Sequence, residues 1–201
     1  MILCATFVVL GCTSSGSLGC GSDGTSTPTV DSDLTGVYTV DVYQQSEEDA
    51  CDTLADVDPA PARIVFYGAE SDSAQGGVAL AGQFCGSVED CRLRAAQRPI
   101  ATNYAFLRGN DTDGWQGWGI ASRDGVGDEC LYQVQEHTLA ATGEQGIRVD
   151  TREVVTQFQA TAPPDGSGTG TCTDRDAINS ITTESPCKQA YLLEATFEER
   201  L

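Results

Sequence analysis

Alternating apolar and polar positions form the longest regular pattern in the chain, between Cys130 and Phe158. Two segments, CLYQVQEHTLAAT and GIRVDTREVVTQF, alternate there on either side of the turn Gly143–Gln145. A period of two residues with abundant Val and Thr is typical of β-strands, and so short a connection favours antiparallel pairing. The pattern therefore predicts one long hairpin.

Two registers are open for this hairpin. One places Glu136 opposite Glu153, and like charges that face each other across a strand pair are destabilising. The other places Glu136 opposite Arg152 and Cys130 opposite Phe158, around a three-residue turn. We favour the second register because it brings opposite charges together.

In this register the hairpin has two unlike faces. One face is apolar near the turn and mostly uncharged-polar farther away, and we expect it to point into the protein. Its members are Leu131, Gln133, Gln135, His137, Leu139, Ile147, Val149, Thr151, Glu153, Val155 and Gln157. The opposite face carries most of the charges, and we expect it to face solvent for most of its length.

Six further segments have the β-branched and aromatic content of strands. They are residues 34–43, 63–67, 77–85, 103–108, 115–122 and 189–198. Short helices are predicted within 86–98 and 174–185, the second capped by Asp174 or Asp176. Eight strands in sequential order predict an all-β fold, a single antiparallel up-and-down barrel, because closure leaves no exposed edge. A β-sandwich is the alternative.

The N-terminal residues follow a different pattern. Residues 1–11 are apolar but too few to cross a bilayer, which needs about 20 residues in a helix, and they predict a secretory signal. Residues 12–33 are rich in Ser, Thr, Gly and Asp, which predicts a flexible tether. The folded domain is then expected at 34–201.

The residues VLGC that end at Cys12 resemble the lipobox of bacterial lipoproteins. A second, less regular match ends at Cys20. The resemblance implies that the mature chain starts at a lipid-modified cysteine and is anchored in the bacterial cell envelope. Neither Thr13 nor Gly21 is the Asp associated with inner-membrane retention in some bacteria, which favours the outer membrane.

Cysteine parity bears on the choice between the two lipidation sites. The local motif favours Cys12, whereas lipidation of Cys20 leaves six cysteines, the even number that disulfides in an oxidising compartment require. Spacing suggests three pairs, Cys85 with Cys91, Cys172 with Cys187 and Cys51 with Cys130. Closing a loop the size of the second is worth roughly 3 kcal/mol. Since six cysteines allow fifteen connectivities, this pairing is a hypothesis.

The charge of the chain restricts its partners. The formal net charge is −19, from 30 acidic and 11 basic residues. Such a surface repels phosphate backbones and anionic headgroups, which argues against nucleic-acid binding and against electrostatic adhesion to membranes. Membrane contact is therefore expected through the lipid anchor only.

The tripeptide Gly36-Val37-Tyr38 resembles the Gly-x-Trp on the first strand of lipocalin-like barrels, with Tyr in place of Trp. The resemblance implies a barrel in which the aromatic side chain of Tyr38 closes the floor. It does not by itself imply a ligand.

His137 is the only histidine in the chain, so the usual multi-histidine zinc and copper sites are excluded, and we expect no metal and no cofactor. In the favoured register it lies across from Thr151 and diagonal to Glu153, so a proton-transfer pair is geometrically possible. No nucleophile motif such as G-x-S-x-G accompanies it. We therefore predict no catalytic residue, and a weak hydrolase using His137 and Glu153 is an alternative.

The candidate ligand-binding residues combine the polar inward positions of the hairpin with nearby aromatic residues. They are Gln133, Gln135, His137, Glu153, Gln157, Trp115, Trp118 and Tyr38. The odd spacing of the two tryptophans predicts that one is core and the other is exposed or near a rim. We expect a non-enzymatic barrel that binds a small apolar ligand or an envelope protein. A structural envelope domain whose barrel is filled by side chains is a further alternative.

Overall fold

The computed structural model describes the chain from the end of the predicted tether to the C-terminus, with short gaps. The described residues are 30, 32–49, 51–98, 102–126, 129–161 and 170–201. The predicted signal and both lipidation candidates, Cys12 and Cys20, lie outside them.

Nine strands in these ranges form one antiparallel sheet. They are β1 (Gly36–Ser46), β2 (Leu54–Asp56), β3 (Arg63–Glu70), β4 (Val78–Cys85), β5 (Tyr104–Asn110), β6 (Gly114–Val126), β7 (Glu129–Thr142), β8 (Gly146–Gln159) and β9 (Cys187–Glu199). Each long strand pairs with the next along the chain, and β9 pairs back onto β1. The eight long strands therefore close into an up-and-down barrel, as predicted, and the sandwich alternative is wrong.

The short strand β2 is the one strand of the described sheet that the alternation pattern missed. It pairs with the last three residues of β1, Gln44–Ser46, whereas β3 pairs only with the first part of β1. Three residues are too few to establish a period, which is why the segment was expected to be loop.

Two α-helices pack on the outside of the barrel. Helix α1 (Val88–Gln97) begins after Ser87, whose hydroxyl accepts from the Asp90 N–H at 3.2 Å. Helix α2 (Asp174–Asn179) is capped by Thr173, whose hydroxyl accepts from the Asp176 N–H at 3.1 Å. The expectation that Asp174 or Asp176 caps α2 is therefore wrong, and both lie in its first turn, where a carboxylate also favours the helix.

The register of the β7–β8 hairpin is the favoured one. Glu136 lies opposite Arg152, Cys130 lies opposite Phe158, and Gly143–Gln145 form the turn. Glu136 and Arg152 do not form an ion pair, because Arg152 donates to the Ser185 carbonyl at 2.7 Å instead.

The predicted faces of this hairpin are right near the turn and wrong at its other end. His137, Leu139 and Val149 are buried inside the barrel, whereas Leu131 is 44% exposed. At that end the buried side chains belong to the opposite face, at Cys130, Tyr132, Val134, Val154 and Thr156. The reason is α2, which covers the outside of the barrel there and packs Ala177 against these residues.

The centre of the barrel is filled by large side chains. Phe66, Phe106, Leu80 and Leu193 are all fully buried and belong to one cluster. The aromatic rings meet at angles, as with the 84° edge contact between Tyr38 and Phe66. No through-channel is therefore left between the two ends.

The two ends of the barrel differ in how they are covered. At the closed end, which comprises residues 32–35, the β5–β6 turn and the C-terminus of β9, Leu34 packs into the core. The opposite end, where β1 finishes and β5 begins, is the mouth. Tyr38 lies at the closed end, where its hydroxyl donates to the Leu34 carbonyl at 3.0 Å.

Three disulfides tie the outer segments to the barrel. Cys85–Cys91 forms as predicted, and the other two bonds are Cys51–Cys187 and Cys130–Cys172. The predicted pairs Cys51 with Cys130 and Cys172 with Cys187 are therefore wrong. The segment before α2 runs back along the outside of β7 and so places Cys172 beside Cys130. Cys187, at the start of β9, lies next to the loop that follows β1.

Candidate functional site

A cavity of about 210 Å³ lies at the mouth of the barrel. Its lining comes from six strands and the residue that precedes β5: Tyr43, Phe84, Asn103, Tyr104, Gln135, His137, Thr151 and Tyr191. Two of the candidate ligand-binding residues, Gln135 and His137, are among them. The lining combines aromatic rings with uncharged hydrogen-bonding groups.

Strand β6 has glycines opposite the two hairpin residues that line the cavity. Gly117 and Gly119 lie opposite His137 and Gln135 in the β6–β7 register. A Cβ added at Gly119 would lie 3.8 Å from both Gln135 Oε1 and His137 Nε2. A side chain at position 119 would therefore occupy the space in front of these two atoms.

His137 is the most deeply buried polar group at the mouth, with 4% of its surface exposed. Its Nδ1 lies 3.0 Å from Thr151 Oγ1, and its ring meets the edge of Tyr104 at 5.2 Å. Burial lowers the pKa of His137 to about 4, so the ring is neutral at neutral pH. No described residue hydrogen-bonds to Nε2, and since no fully buried side-chain atom lacks a partner, Nε2 borders the cavity.

Glu153 is buried beside the cavity and is held by glutamines, not by His137. Gln135 donates to one carboxylate oxygen at 2.9 Å. Gln133 donates to the other at 3.3 Å when its amide is oriented so that its oxygen accepts from Lys188, 3.1 Å away. Lys188 also pairs with Glu48 at 3.2 Å. The geometrically possible His137–Glu153 proton-transfer pair is thus not formed.

Three tyrosines converge on the mouth. Burial raises the pKa of Tyr43, Tyr104 and Tyr191, so all three hydroxyls stay protonated at neutral pH. The Tyr191 hydroxyl donates to Gln189 at 2.6 Å. In the part of the chain that the structure describes, the Tyr43 and Tyr104 hydroxyls have no hydrogen-bond partner, so they too border open space.

The other candidate residues lie elsewhere. Trp115 is buried at the closed end and donates to Asp111 at 2.7 Å, whereas Trp118 lies on the outside with the Arg108 guanidinium 4.3 Å above its ring. The prediction that the tryptophans face opposite ways is confirmed. Gln157 is exposed and donates to Glu129 at 3.3 Å. The structure does not bring Trp115, Trp118 or Gln157 to the mouth, and Tyr38 also lies at the closed end.

The candidate ligand-binding residues do not include the mouth residues that lie outside the hairpin. Tyr43 and Tyr104 stand at or near the ends of predicted strands, as does Tyr191. Aromatic residues at strand ends are a usable signal for a barrel rim, but only once the strand directions are known. Phe84 carries the same signal, since it is the penultimate residue of the predicted strand 77–85.

Two larger depressions, of about 650 and 790 Å³, border Trp118, and the first shares His137, Thr151 and Tyr191 with the mouth cavity. Their floors carry charged side chains, among them Arg108 and Glu136. The lining of the mouth cavity, in contrast, contains no charged side chain among the described residues. The mouth has the stronger features of a binding site.

No protein family, curated protein or solved structure matches this chain. Across the described ranges, no helix has the length and apolar character needed to span a membrane. The same ranges hold no cluster of three or more His, Cys, Asp or Glu side chains arranged to bind a metal ion. The functional conclusion therefore depends on the geometry of the mouth and on the N-terminal sequence.

Proposed function

We propose that the chain is a non-enzymatic lipoprotein of the bacterial outer membrane whose barrel mouth binds a small uncharged molecule. The apolar leader and the lipobox resemblance at Cys12 or Cys20 support the anchor. Three disulfides in a small barrel support an oxidising compartment.

The observation that carries the binding proposal is His137. The residue is only 4% exposed, its Nδ1 faces Thr151, and its Nε2 borders the cavity with no partner among the described residues. Because no fully buried side-chain atom among the described residues lacks a partner, Nε2 is accessible from the cavity, where a ligand or solvent can complete its hydrogen bonding. The hydrogen-bonding lining favours a polar uncharged ligand over a purely apolar one.

The position of the anchor supports this function. Residues 32–35 run across the closed end, and Leu34 packs into its core. The tether therefore joins the barrel at the closed end and leaves the mouth unobstructed. A ligand in the surrounding compartment would reach the cavity without passing the anchor.

Binding is better supported than hydrolysis. The hydrolase alternative needs Glu153 to orient His137, but the Glu153 carboxylate accepts from Gln135 and Gln133. With a pKa of about 4, His137 is also a poor general base at neutral pH. A hydrolytic activity that is abolished by His137→Ala would reverse this preference.

A second candidate function is a structural envelope domain with no ligand. The observation that favours it is the filled centre of the barrel, where Phe66, Phe106 and Leu80 leave no exposed surface. In that case the mouth would hold only water.

Native mass spectrometry of the full chain, released from detergent micelles, separates the two functions. We expect a retained small molecule whose occupancy falls strongly in His137→Phe, which keeps an aromatic ring and removes Nε2. The matched control is Thr138→Val, at the neighbouring exposed position, which should retain the ligand. Equal occupancy in both variants, or no ligand in wild type with no thermal stabilisation by any small neutral compound, would favour the structural function.

A further inference from the structure

The free polar atoms of the mouth include both hydrogen-bond donors and acceptors. The hydroxyls of Tyr43 and Tyr104 can each donate and accept, and the neutral His137 can present Nε2 either with or without its proton. The Asn103 amide oxygen accepts from the Phe84 N–H at 2.8 Å, and its amide nitrogen has no hydrogen-bond partner among the described residues. Such a set is complementary to hydroxyl groups, which also donate and accept at one atom.

The cavity offers no charge to a ligand. The nearest carboxylate, Glu153, is already bound by two glutamines, and the nearest ammonium, Lys188, pairs with Glu48. A charged ligand would lose its hydration and find no free counter-charge, which costs several kcal/mol. The site therefore selects uncharged molecules.

The walls of the cavity are flat and fixed. Phe84 meets Tyr43 and Tyr104 edge to face, with ring centroids 5.5 and 5.8 Å apart. The volume of about 210 Å³ corresponds to roughly seven water molecules at ~30 Å³ each, which is enough for one small ring. It is below the ~300 Å³ at which pockets for drug-sized ligands begin.

Building on the proposed function, we infer that the mouth binds a single neutral sugar ring, with an apolar ring face against the aromatic walls and its hydroxyls on the free polar atoms. Gly119 acts as a specificity-determining position. Because it has no side chain, a ring hydroxyl can reach both Gln135 Oε1 and His137 Nε2.

Isothermal titration calorimetry with the full chain in detergent tests this inference. The neutral probes are glucose, galactose and N-acetylglucosamine. The charged probes are glucuronic acid and glucosamine, used at the same concentration. Uracil and nicotinamide serve as neutral heteroaromatic rings. We expect at least one neutral sugar to bind, and its charged counterpart to bind at least about tenfold more weakly, as the cost of burying an unpaired charge requires.

A glycine pair provides the matched variants. Gly119→Val places a side chain in front of Gln135 Oε1 and His137 Nε2, and its Cβ meets no atom closer than 3.8 Å, at a backbone angle that other residues adopt. Gly86→Val is the control, since nothing lies within 4 Å of its Cβ. We expect Gly119→Val to lose sugar binding by at least about tenfold while its Tm stays within about 3 °C of wild type, and Gly86→Val to bind normally.

The outcomes separate the two levels of the proposal. If uracil or nicotinamide binds in a Gly119-dependent manner and no sugar does, the sugar inference is overturned and mouth binding stands. If charged sugars bind as tightly as neutral ones, the sugar inference also fails. If no probe binds, or if Gly119→Val and His137→Phe leave binding unchanged, both the inference and the proposed function are overturned.

Discussion

The two ends of the barrel bury aromatic side chains to a similar degree but differ in how their polar atoms are satisfied. Tyr38 at the closed end is 2% exposed and Tyr104 at the mouth is 5% exposed. The Tyr38 hydroxyl donates to a backbone carbonyl, whereas the Tyr104 hydroxyl has no partner among the described residues. Burial alone therefore does not separate the two ends, whereas the hydrogen bonding of their tyrosine hydroxyls does.

Asp111 shows how fully the closed end is satisfied. Its carboxylate accepts from the Ser32 hydroxyl at 2.6 Å, the Asp33 N–H at 2.5 Å and the Trp115 indole at 2.7 Å. One side chain thus joins the N-terminal segment, the β5–β6 turn and the core. At the mouth, the Glu153 carboxylate is likewise held by Gln135 and Gln133, but the Tyr43 and Tyr104 hydroxyls have no partner among the described residues.

The largest effect that the comparison predicts is the loss of Trp115. Trp115→Ala removes a 6%-exposed indole from the closed end and should lower the free energy of unfolding by about 3–5 kcal/mol. The comparison variant is Trp118→Ala on the outside, where the ring is half-buried against the cluster under α2 and contacts Arg108, so the loss should be smaller. Urea denaturation followed by circular dichroism measures both. Similar losses in the two variants would show that the closed end is not a packed structural unit.

A smaller effect tests the mouth through pH. The folded pKa of His137 is about 4 and its ordinary value is 6.5, so the unfolded chain takes up the proton first as pH falls. Its contribution is fully present above pH 6.5 and is lost as pH falls toward 4. Between pH 7.5 and 5 the free energy of unfolding should drop by about 2 kcal/mol.

Urea titrations at several pH values measure this drop, and the chain suits the experiment because His137 is its only histidine. His137→Phe should flatten the profile over this interval, since most carboxylates titrate below pH 5. An unchanged slope in the variant would mean that His137 is solvated in the folded protein.

The fold could be predicted because its signals are local. Alternation with a period of two and short turns identified eight strands, and charge complementarity between Glu136 and Arg152 selected the register. The predictions that failed depend on contacts between residues that are far apart in sequence. Nothing near Leu131 in sequence shows that α2, some forty residues later, covers the other face of β7. The residues just before α2 also place Cys172 beside Cys130, and spacing along the sequence cannot indicate this contact.

The candidate site was predicted only as far as the hairpin reaches. Gln135 and His137 follow from the inward face of β7, and both line the cavity. Their neighbours Tyr43, Phe84 and Tyr104 come from three other strands. Which residues of distant strands share a level depends on the tilt and stagger of the barrel, and these are properties of the closed sheet as a whole.

Asp111→Asn sharpens the comparison at the closed end. The replacement keeps one acceptor and turns an NH₂ group toward a former donor, so we expect a loss of about 1.5 kcal/mol. Hydrogen exchange should also become faster at the Asp33 and Leu34 amides, while amides at the mouth keep their protection. Faster exchange at both ends would instead indicate a global loss of stability.

The smallest effects come from a matched pair of hydroxyl deletions. Tyr38→Phe removes the donor to the Leu34 carbonyl and should cost about 1 kcal/mol. Tyr104→Phe removes a hydroxyl that no described residue bonds, so stability should stay the same or rise slightly, while affinity for a mouth ligand falls. Urea denaturation and ligand titration of both variants measure the two quantities. If Tyr104→Phe loses as much stability as Tyr38→Phe and binds as wild type does, the Tyr104 hydroxyl is structural and the two ends are built alike.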